Sequence, residues 1–269
     1  MALWTDEEDN ILRKYYPTES MDFLLTLLKR SLYAIAKRAE NIGVCKISLI
    51  RQTFFDTWSD DMAYMLGFIA ADGCICIKNK GHSVYLQFCL SETDLSHLEK
   101  IRDAIYPGKK IYFTQYKLDD KIYKQCHLSI GSKYMCKKLM ELGINPRKSL
   151  TLEFPKIPSE YINHFVRGYF DGDGTIGKCF TTNDWHWEIL GTKCFLTSVA
   201  DIIDTKFSFP HRNVRKDKKN GKIFIIQYST QQAVKICRWL YEDSTIYLDR
   251  KYEKAQQLFS EKDKNNQEA

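Results

Sequence analysis

The stretch GYFDGDGTIG, residues 168–177, places two aspartates among four glycines directly after an apolar segment. A related stretch, LGFIAADGCI, occupies residues 66–75. At an offset of 101 residues the two share a glycine, an aspartate and the glycine after it, namely Gly67 with Gly168, Asp72 with Asp173, and Gly73 with Gly174. An aspartate–glycine pair is also a common helix end and turn, so one copy alone would not indicate a functional site.

The same offset continues along the chain. SVYLQFCL, residues 83–90, falls on DWHWEILG, residues 184–191, and both alternate apolar and polar residues as strands do. Further matches are Leu95, Leu98 and Ile101 with Leu196, Val199 and Ile202, Lys121 with Lys222, Cys136 with Cys237, and Leu139 with Leu240. A register kept this long predicts two copies of one subdomain.

Each copy reads as helix, two strands, helix, two strands, helix, and in the first copy we predict these at 59–72, 74–79, 83–90, 93–106, 110–116, 121–130 and 132–142. The predicted fold is α+β, with two αββαββα subdomains related by a pseudo-twofold axis and a small N-terminal three-helix domain. The predicted boundaries are 1–45 for the N-terminal domain, 46–57 for a linker, and 58–157 and 158–269 for the two subdomains.

Composition indicates a soluble globular protein. Hydrophobic residues make up 44% of the 269, without an apolar run long enough to cross a membrane or a signal-peptide pattern. Nine cysteines occur without a C-x-x-C pair or a zinc-like spacing with histidine, which predicts reduced thiols in an intracellular protein. Bacterial or phage cytoplasm and an organelle remain equally open.

The net charge of +6 lies outside the first fifty residues, whose charges sum to zero. Residues 206–222 hold seven Lys and Arg against one acidic residue. Such a segment is either a solvated loop or a surface for a polyanion, which gains affinity by releasing condensed counterions.

Asp72 and Asp173 are predicted where a helix ends and a glycine turns the chain. A carboxylate is unfavourable at the negative end of the helix dipole, and two such ends meeting would repel each other. A divalent cation removes both penalties, and oxygen ligands favour Mg²⁺, with Mn²⁺ as a substitute. The backbone carbonyls of Ala71 or Gly73, and of Gly172, are candidate further ligands. Paired carboxylates holding metals suit phosphodiester cleavage.

LGFIAADG and VRGYFDGDG resemble the two motifs of single-chain LAGLIDADG homing endonucleases, and the resemblance covers about residues 58–260. It implies motif helices packed at the centre and a saddle of antiparallel sheets on double-stranded DNA. It also implies that Asp72 and Asp173 hold the catalytic Mg²⁺. The implied protein is a monomer with an internal pseudo-dimer, and intron homing is its implied role. At the offset of 101 residues, Asp171 corresponds to Ala70 in the first copy, so Asp171 has no acidic counterpart there. We therefore assign Asp171 a supporting role.

The family also uses a basic residue, often lysine, near each metal. Lys148 and Lys251 follow the two aspartates by 76 and 78 residues and are the matching candidates. They would orient the attacking water or screen developing phosphate charge. Exposed surface lysines are the alternative, and Arg147 and Arg250 are the fallback candidates.

The strand faces turned away from the core are predicted to meet the major groove, which admits a two-stranded ribbon. Candidates on these faces are Lys78, Lys80, His82, Tyr85 and Gln87 in the first copy and Lys178, Asn183, His186 and Glu188 in the second. The loops 109–124 and 206–222 would contact phosphates through Lys109, Lys110, Lys117, Lys121, Arg212, Arg215, Lys216, Lys218, Lys219 and Lys222.

The first fifty residues predict three helices. Thr5 and Glu8 form a capping box for the first, Ser31 caps the third, and Gly43 ends it. The W-T-x-E-E-D opening and the RSLYAIAKRAENIG helix resemble Myb-type or homeodomain-like helix-turn-helix modules, with DNA contacts from Tyr33, Lys37, Arg38 and Asn41. The alternative is a packing domain without groove contact.

The leading function is therefore a site-specific homing endonuclease that makes a double-strand break in a long asymmetric DNA target. The alternative is a non-cleaving binder on the same scaffold, either an RNA-splicing maturase or a DNA-binding regulator. No organic cofactor is expected.

Overall fold

The computed structural model describes residues 3–19, 21–45, 47, 49–78, 83–218 and 221–267, with side chains to residue 263. The chain divides into two compact units between Ile50 and Arg51. Within the described ranges no helix is long and apolar enough to span a bilayer. Three predicted DNA contacts, Lys80, His82 and Lys219, lie outside the described residues.

The N-terminal unit contains three helices, α1 (Asp6–Tyr15), α2 (Met21–Leu28) and α3 (Leu32–Asn41). The predicted capping box is confirmed, because the backbone N–H of Glu8 donates to Thr5 Oγ1 at 3.2 Å and that of Thr5 donates to Glu8 Oε2 at 3.0 Å. Ser31 caps α3 as predicted. The core of the unit is formed by Leu12, Leu24, Leu28 and Ile35.

The larger unit contains the predicted repeat. The first copy consists of α4 (Asp60–Ala71), β1 (Gly73–Lys78), β2 (Ser83–Ser91), α5 (Leu95–Ile105), β3 (Tyr112–Leu118), β4 (Lys121–Gly131) and α6 (Lys133–Glu141). The second consists of α7 (Ile162–Asp173), β5 (Gly174–Lys178), β6 (Trp185–Gly191), α8 (Lys193–Phe207), β7 (Arg215–Lys216), β8 (Phe224–Ser229) and α9 (Thr230–Tyr241), and α10 (Asp249–Gln267) follows it. The αββαββα order in both copies confirms the predicted fold class.

Each copy forms one four-stranded antiparallel sheet, in the order β1-β2-β4-β3 and β5-β6-β8-β7. In both sheets one face is apolar and buried, with Leu86 and Phe88 in the first and Trp187 and Ile189 in the second. Strands alternate their side chains, so the opposite face carries the polar residues. The helices of each copy cover the buried faces and leave the polar faces open.

The offset of 101 residues does not hold to the end of the repeat. Tyr85 pairs with Gly131, whereas His186, 101 residues later, pairs with Ser229, only 98 residues after Gly131. The predicted matches of Lys121 with Lys222 and of Cys136 with Cys237 are therefore wrong. The second copy has a shorter β7–β8 hairpin. The offset between the copies therefore changes by about one helical turn, and a change of one turn leaves the same face of the last helix towards the core.

Helices α4 and α7 pack against each other along their backbones. A Cβ atom at Gly67 would overlap the carbonyl oxygen of Phe165, and one at Gly168 would overlap that of Tyr64. The contacts are reciprocal, as expected of a pseudo-twofold axis that passes between the two helices. Only glycine permits this approach, so the shared glycines of the two motifs are packing positions.

Candidate active site

The two repeated aspartates lie at the paired ends of α4 and α7. Asp72 is the C-cap of α4, and its backbone N–H donates to Phe68 O at 2.9 Å, while Asp173 is the last residue of α7. A Cβ atom at Gly172 would lie 3.2 Å from Asp72 Oδ2, so this carboxylate is next to the end of the opposite helix. The helix pair therefore brings the two carboxylates to the junction of the copies.

Both carboxylates have raised pKa values. Asp72 as a whole residue is exposed, but protein atoms surround its carboxylate. The resulting desolvation of the carboxylate, together with the negative charge of Asp173, raises the pKa of Asp72 to about 6. Burial also raises the pKa of Asp173, opposed by the positive charges of Lys148 and Lys251 and by a hydrogen bond from Tyr169. Raised pKa values in a pair of carboxylates are typical of a functional site.

Each predicted lysine binds the end of the motif helix in its own copy. Lys148 Nζ donates to Gly73 O at 2.5 Å and to Ala71 O at 3.4 Å. Lys251 Nζ donates to Phe170 O at 2.5 Å, to Asp171 O at 2.8 Å and to Gly172 O at 3.2 Å. An ammonium group at a helix C-terminus satisfies open carbonyls and complements the dipole.

Neither lysine is a surface residue, since Lys148 is 9% exposed and Lys251 is 3% exposed. Burial lowers the pKa of Lys251 to about 8 and also lowers that of Lys148, opposed in both cases by nearby aspartates. The fallback arginines are placed differently, because Arg147 is exposed and Arg250 Nε donates to Asp94 Oδ1 at 2.9 Å. The lysines, not the arginines, reach the helix ends.

A cavity of about 240 Å³ opens between the copies, and its lining includes Lys148 from the first copy with Tyr169 and Asp173 from the second. The candidate site therefore depends on both copies. A ligand in this cavity would contact an ammonium group and a carboxylate that belong to different subdomains.

The residues present fit a hard divalent cation. The two carboxylates at the helix ends supply oxygen ligands of the kind that Mg²⁺ prefers, and Mg²⁺ usually completes its octahedron with water and substrate phosphates. The described residues contain no group of three or more His, Cys, Asp and Glu side chains placed to hold a metal. The candidate carbonyls of Ala71, Gly73 and Gly172 already accept hydrogen bonds from lysine, so the carboxylates are the better ligands.

Asp171 lies in the protein interior behind the candidate metal ligands and is fully buried. Its carboxylate accepts hydrogen bonds at 2.7 Å from the hydroxyl groups of Tyr64 and Tyr241 and at 2.9 Å from the backbone N–H of Leu248. These contacts join α4, α7, α9 and the segment that leads into α10, which carries Lys251. The supporting role of Asp171 in the site stays a prediction.

His97 joins the same buried cluster and was not singled out from the sequence. The Tyr64 hydroxyl donates to Asp171 and so accepts from His97 Nε2, 3.2 Å away. The His97 ring also lies edge-on to Phe68, with centroids 4.6 Å apart. Burial lowers the pKa of His97 to about 4, so the imidazole is neutral at physiological pH. In the sequence, the Tyr64 hydroxyl is a single polar group within the otherwise apolar helix segment 62–71. A buried hydroxyl needs a hydrogen-bond partner, and this was the available sequence signal for the cluster.

His97 is expected to make the larger unit sensitive to acid. The pKa of His97 in the folded chain is about 4, below the ordinary value of 6.5, so the unfolded chain binds a proton between these values and the folded chain does not. The contribution of neutral His97 to the free energy of unfolding is therefore complete above pH 6.5 and is lost as the pH falls towards 4. The free energy of unfolding should fall by about 2 kcal/mol more between pH 7 and pH 5 in the native chain than in His97→Gln. Urea unfolding of both proteins at the two pH values measures this, and equal losses would contradict it.

The open face of the first sheet carries most of the predicted groove contacts of the first copy. Tyr85 and Gln87 lie half-buried on this face, and Lys78 is exposed at the end of β1 with its Nζ 5.4 Å from the Tyr85 ring centroid. In the second copy His186 and Glu188 lie on the corresponding face. Asn183 is exposed in the β5–β6 turn, with a left-handed φ of 57°.

Two predicted DNA contacts face the helices instead. Lys178 pairs with buried Trp185 and forms an ion pair with Glu261 of α10 at 2.8 Å, so its predicted groove-facing position is wrong. The offset of 101 aligns Lys178 with Ile77 rather than Lys78, and one residue reverses the side of a strand. Arg212 lies over the ring of buried Tyr228 and donates to Gln232 at 2.7 Å.

The remaining basic candidates of the larger unit lie at the ends of the sheets. Lys109 is half-buried over the Tyr106 ring, and Lys117 forms an exposed ion pair with Asp120 at 2.7 Å. The other exposed members of this set are Lys110, Lys121, Arg215, Lys216, Lys218 and Lys222.

In the N-terminal unit, three of the four predicted contacts are exposed on α3, namely Tyr33, Lys37 and Asn41. Arg38 is committed elsewhere, because it donates to both carboxylate oxygens of Asp9 at 2.7 and 2.6 Å and so joins α3 to α1. The predicted DNA contact of Arg38 would have to compete with this ion pair, and it stays a prediction.

Comparison with known proteins supports the fold alone. The chain is similar to the crystal structure of the LAGLIDADG homing endonuclease I-GzeII in complex with its DNA target, at 15% identity over 76% of this chain and 89% of that one, with a TM-score of 0.51. It is also similar to the homing endonuclease I-WcaI bound to its DNA recognition sequence, at 15% identity over 80% and 96%, with a TM-score of 0.50. No family model and no curated protein matches the sequence.

Proposed function

We propose that this protein is a site-specific, metal-dependent DNA endonuclease of the LAGLIDADG type. The observation that carries the proposal is the meeting of Asp72 and Asp173 at paired helix ends, with buried Lys148 and Lys251 beside them. A structural turn would not require two carboxylates with raised pKa values at one junction. The similarity in fold to DNA-bound homing endonucleases agrees with this proposal.

In this proposal Asp72 and Asp173 hold Mg²⁺, which activates water and stabilises the leaving oxygen when it is bound. The chain itself positions the phosphodiester bond. Lys148 and Lys251 neutralise the open carbonyls at the helix ends and direct positive potential towards the phosphate. Asp171 fixes the segment before α10 and so holds Lys251 in place.

The target is proposed to be one long, asymmetric duplex bound by a monomer. The copies present different residues at equivalent positions of their open faces, such as Tyr85 against His186 and Gln87 against Glu188. Two unlike sheets would bind two unlike half-sites, so a palindromic target is not expected.

Cleavage selection tests the proposal directly. A plasmid library with a randomised insert is incubated with the protein in Mg²⁺, and linearised molecules are recovered and sequenced. A single asymmetric insert cut in Mg²⁺ and bound without cutting in Ca²⁺ would support the endonuclease. Tight, selective binding without cleavage in Mg²⁺ or Mn²⁺ would instead favour the non-cleaving regulator or RNA maturase.

We also propose that α3 of the N-terminal unit contacts DNA as the second helix of a helix-turn-helix does. Replacing Tyr33 and Lys37 together with Ala should weaken binding to the selected duplex about thirtyfold or more, because each lost contact is worth about 1 kcal/mol or more. Lys14→Ala, on an exposed position of α1, is the control. Fluorescence anisotropy measures the affinities, and equal affinities would indicate a packing domain.

A further inference from the structure

The β3–β4 hairpin forms a long ribbon at the edge of the first sheet. All seven residues of β3 and the first four of β4 are exposed, and the turn between them is Asp119–Asp120, both left-handed. A two-residue turn of this kind keeps the strands in tight antiparallel register. Seven residues extend about 23 Å, on the order of seven base pairs of a duplex.

Three tyrosines occupy one face of the ribbon. Strand register places Tyr112 opposite His127 and Tyr116 opposite Tyr123. Because Cys126 and Leu128 point into the core, Tyr123 and His127 point to the open face that also carries Tyr85. The rings of Tyr116 and Tyr123 are stacked with centroids 5.4 Å apart, and the exposed fractions of Tyr112, Tyr116 and Tyr123 are 54%, 46% and 41%.

Exposed aromatic rings at this density mark a binding surface, since soluble proteins rarely leave them open without a function. The ribbon is also basic, with Lys110, Lys117, Lys121 and Lys124 against the two turn aspartates. Positive charge around an apolar strip fits a duplex whose phosphates lie on both sides of its groove. In the major groove, the apolar group that a base pair presents is the C5-methyl of thymine.

The equivalent part of the second sheet has a different chemistry. Strand β7 has only two residues, Arg215 and Lys216, both exposed, and exposed Lys218 follows. Arg215 Nη2 donates to Gln227 Oε1 at 2.5 Å, on the open face of that sheet. Short basic segments of this kind contact phosphates, which position a protein without specifying sequence.

We propose that the tyrosine face of the β3–β4 ribbon, formed by Tyr112, Tyr116 and Tyr123, recognises thymine methyl groups in one half-site of the DNA target. The half-site under the second sheet is held chiefly through its phosphates. The proposal rests on the proposed function, because it requires that the protein bind a specific duplex.

The test uses the duplex recovered by selection on the full chain, with Ca²⁺ present and cleavage absent. Thymine is replaced by uracil in one half-site at a time, which removes only the methyl group. Each replacement under the ribbon should weaken binding about fourfold, and each replacement in the other half-site should change affinity less than twofold. In the variant with Tyr112, Tyr116 and Tyr123 changed to Ser, the uracil effect should disappear and that half-site should lose its base preference.

The opposite face of the same ribbon supplies the control. Phe113 and Ile122 are 54% and 65% exposed and point away from the tyrosines, so Phe113→Ser with Ile122→Ser should leave the uracil effect intact. Equal uracil effects in both half-sites, or none in either, would overturn the inference while leaving the endonuclease in place. Failure to recover any selected duplex would instead remove the proposed function.

Discussion

Cleavage of the selected duplex by Asp72→Asn and by Asp173→Asn is expected to fall about a thousandfold or more, since a lost metal ligand removes several kcal/mol of transition-state stabilisation. Binding to the same duplex should change little, because each substitution keeps the side-chain shape and lies at the helix junction rather than on the open sheet faces. Cleavage is measured in single-turnover gels with Mg²⁺, and affinity by anisotropy in Ca²⁺.

The matched control is Asp201→Asn, which removes one negative charge from an exposed position of α8. It should leave both cleavage and affinity unchanged. Normal cleavage by either motif variant would refute the metal role of that aspartate. A variant that loses binding and thermal stability together would show that the carboxylate is structural, so circular dichroism melting accompanies each assay.

The second large effect concerns stability. Gly168→Ala should lower the free energy of unfolding by about 3 kcal/mol or more, because the new methyl group would overlap the backbone carbonyl of Tyr64, which cannot rotate away. Gly67→Ala should cost a similar amount through the carbonyl of Phe165. Urea unfolding followed by tryptophan fluorescence measures both changes.

Gly177→Ala is the control for this prediction, since a Cβ atom there would meet no described atom within 4 Å. It lies in the same motif stretch, on β5, and its effect should stay within about 0.5 kcal/mol. Equal destabilisation by Gly168→Ala and Gly177→Ala would mean that the helix contact is less tight than the structure shows.

Much of the fold follows from local patterns in the sequence. Alternation of apolar residues predicts the strands, and Thr5 and Ser31 predict where helices begin, because a capping side chain binds backbone groups three residues away. The repeat adds the pseudo-twofold relation between the copies. These signals act over short distances along the chain, so they can be recognised without coordinates.

The errors and omissions concern contacts across the sheets and between distant elements. The side of β5 on which Lys178 lies depends on a one-residue parity. The change of offset from 101 to 98 residues is also hidden in the sequence, because the last helix of the second copy still turns the same face to the core. Asp171 binds Tyr241 and Leu248, which are 70 and 77 residues away. No local pattern specifies such partners.

The change in offset from 101 to 98 residues has a consequence for how such a protein could acquire a new target. The outer part of the β3–β4 ribbon lies beyond the buried core, so the hairpins of the two copies can differ in length while the α4–α7 contact keeps its geometry. Under the proposed function, recognition and bond breaking would therefore belong to separable parts of the chain. Exchanging only residues 112–123 for those of a related chain would then change the preferred duplex and leave the helix junction with Asp72 and Asp173 unchanged.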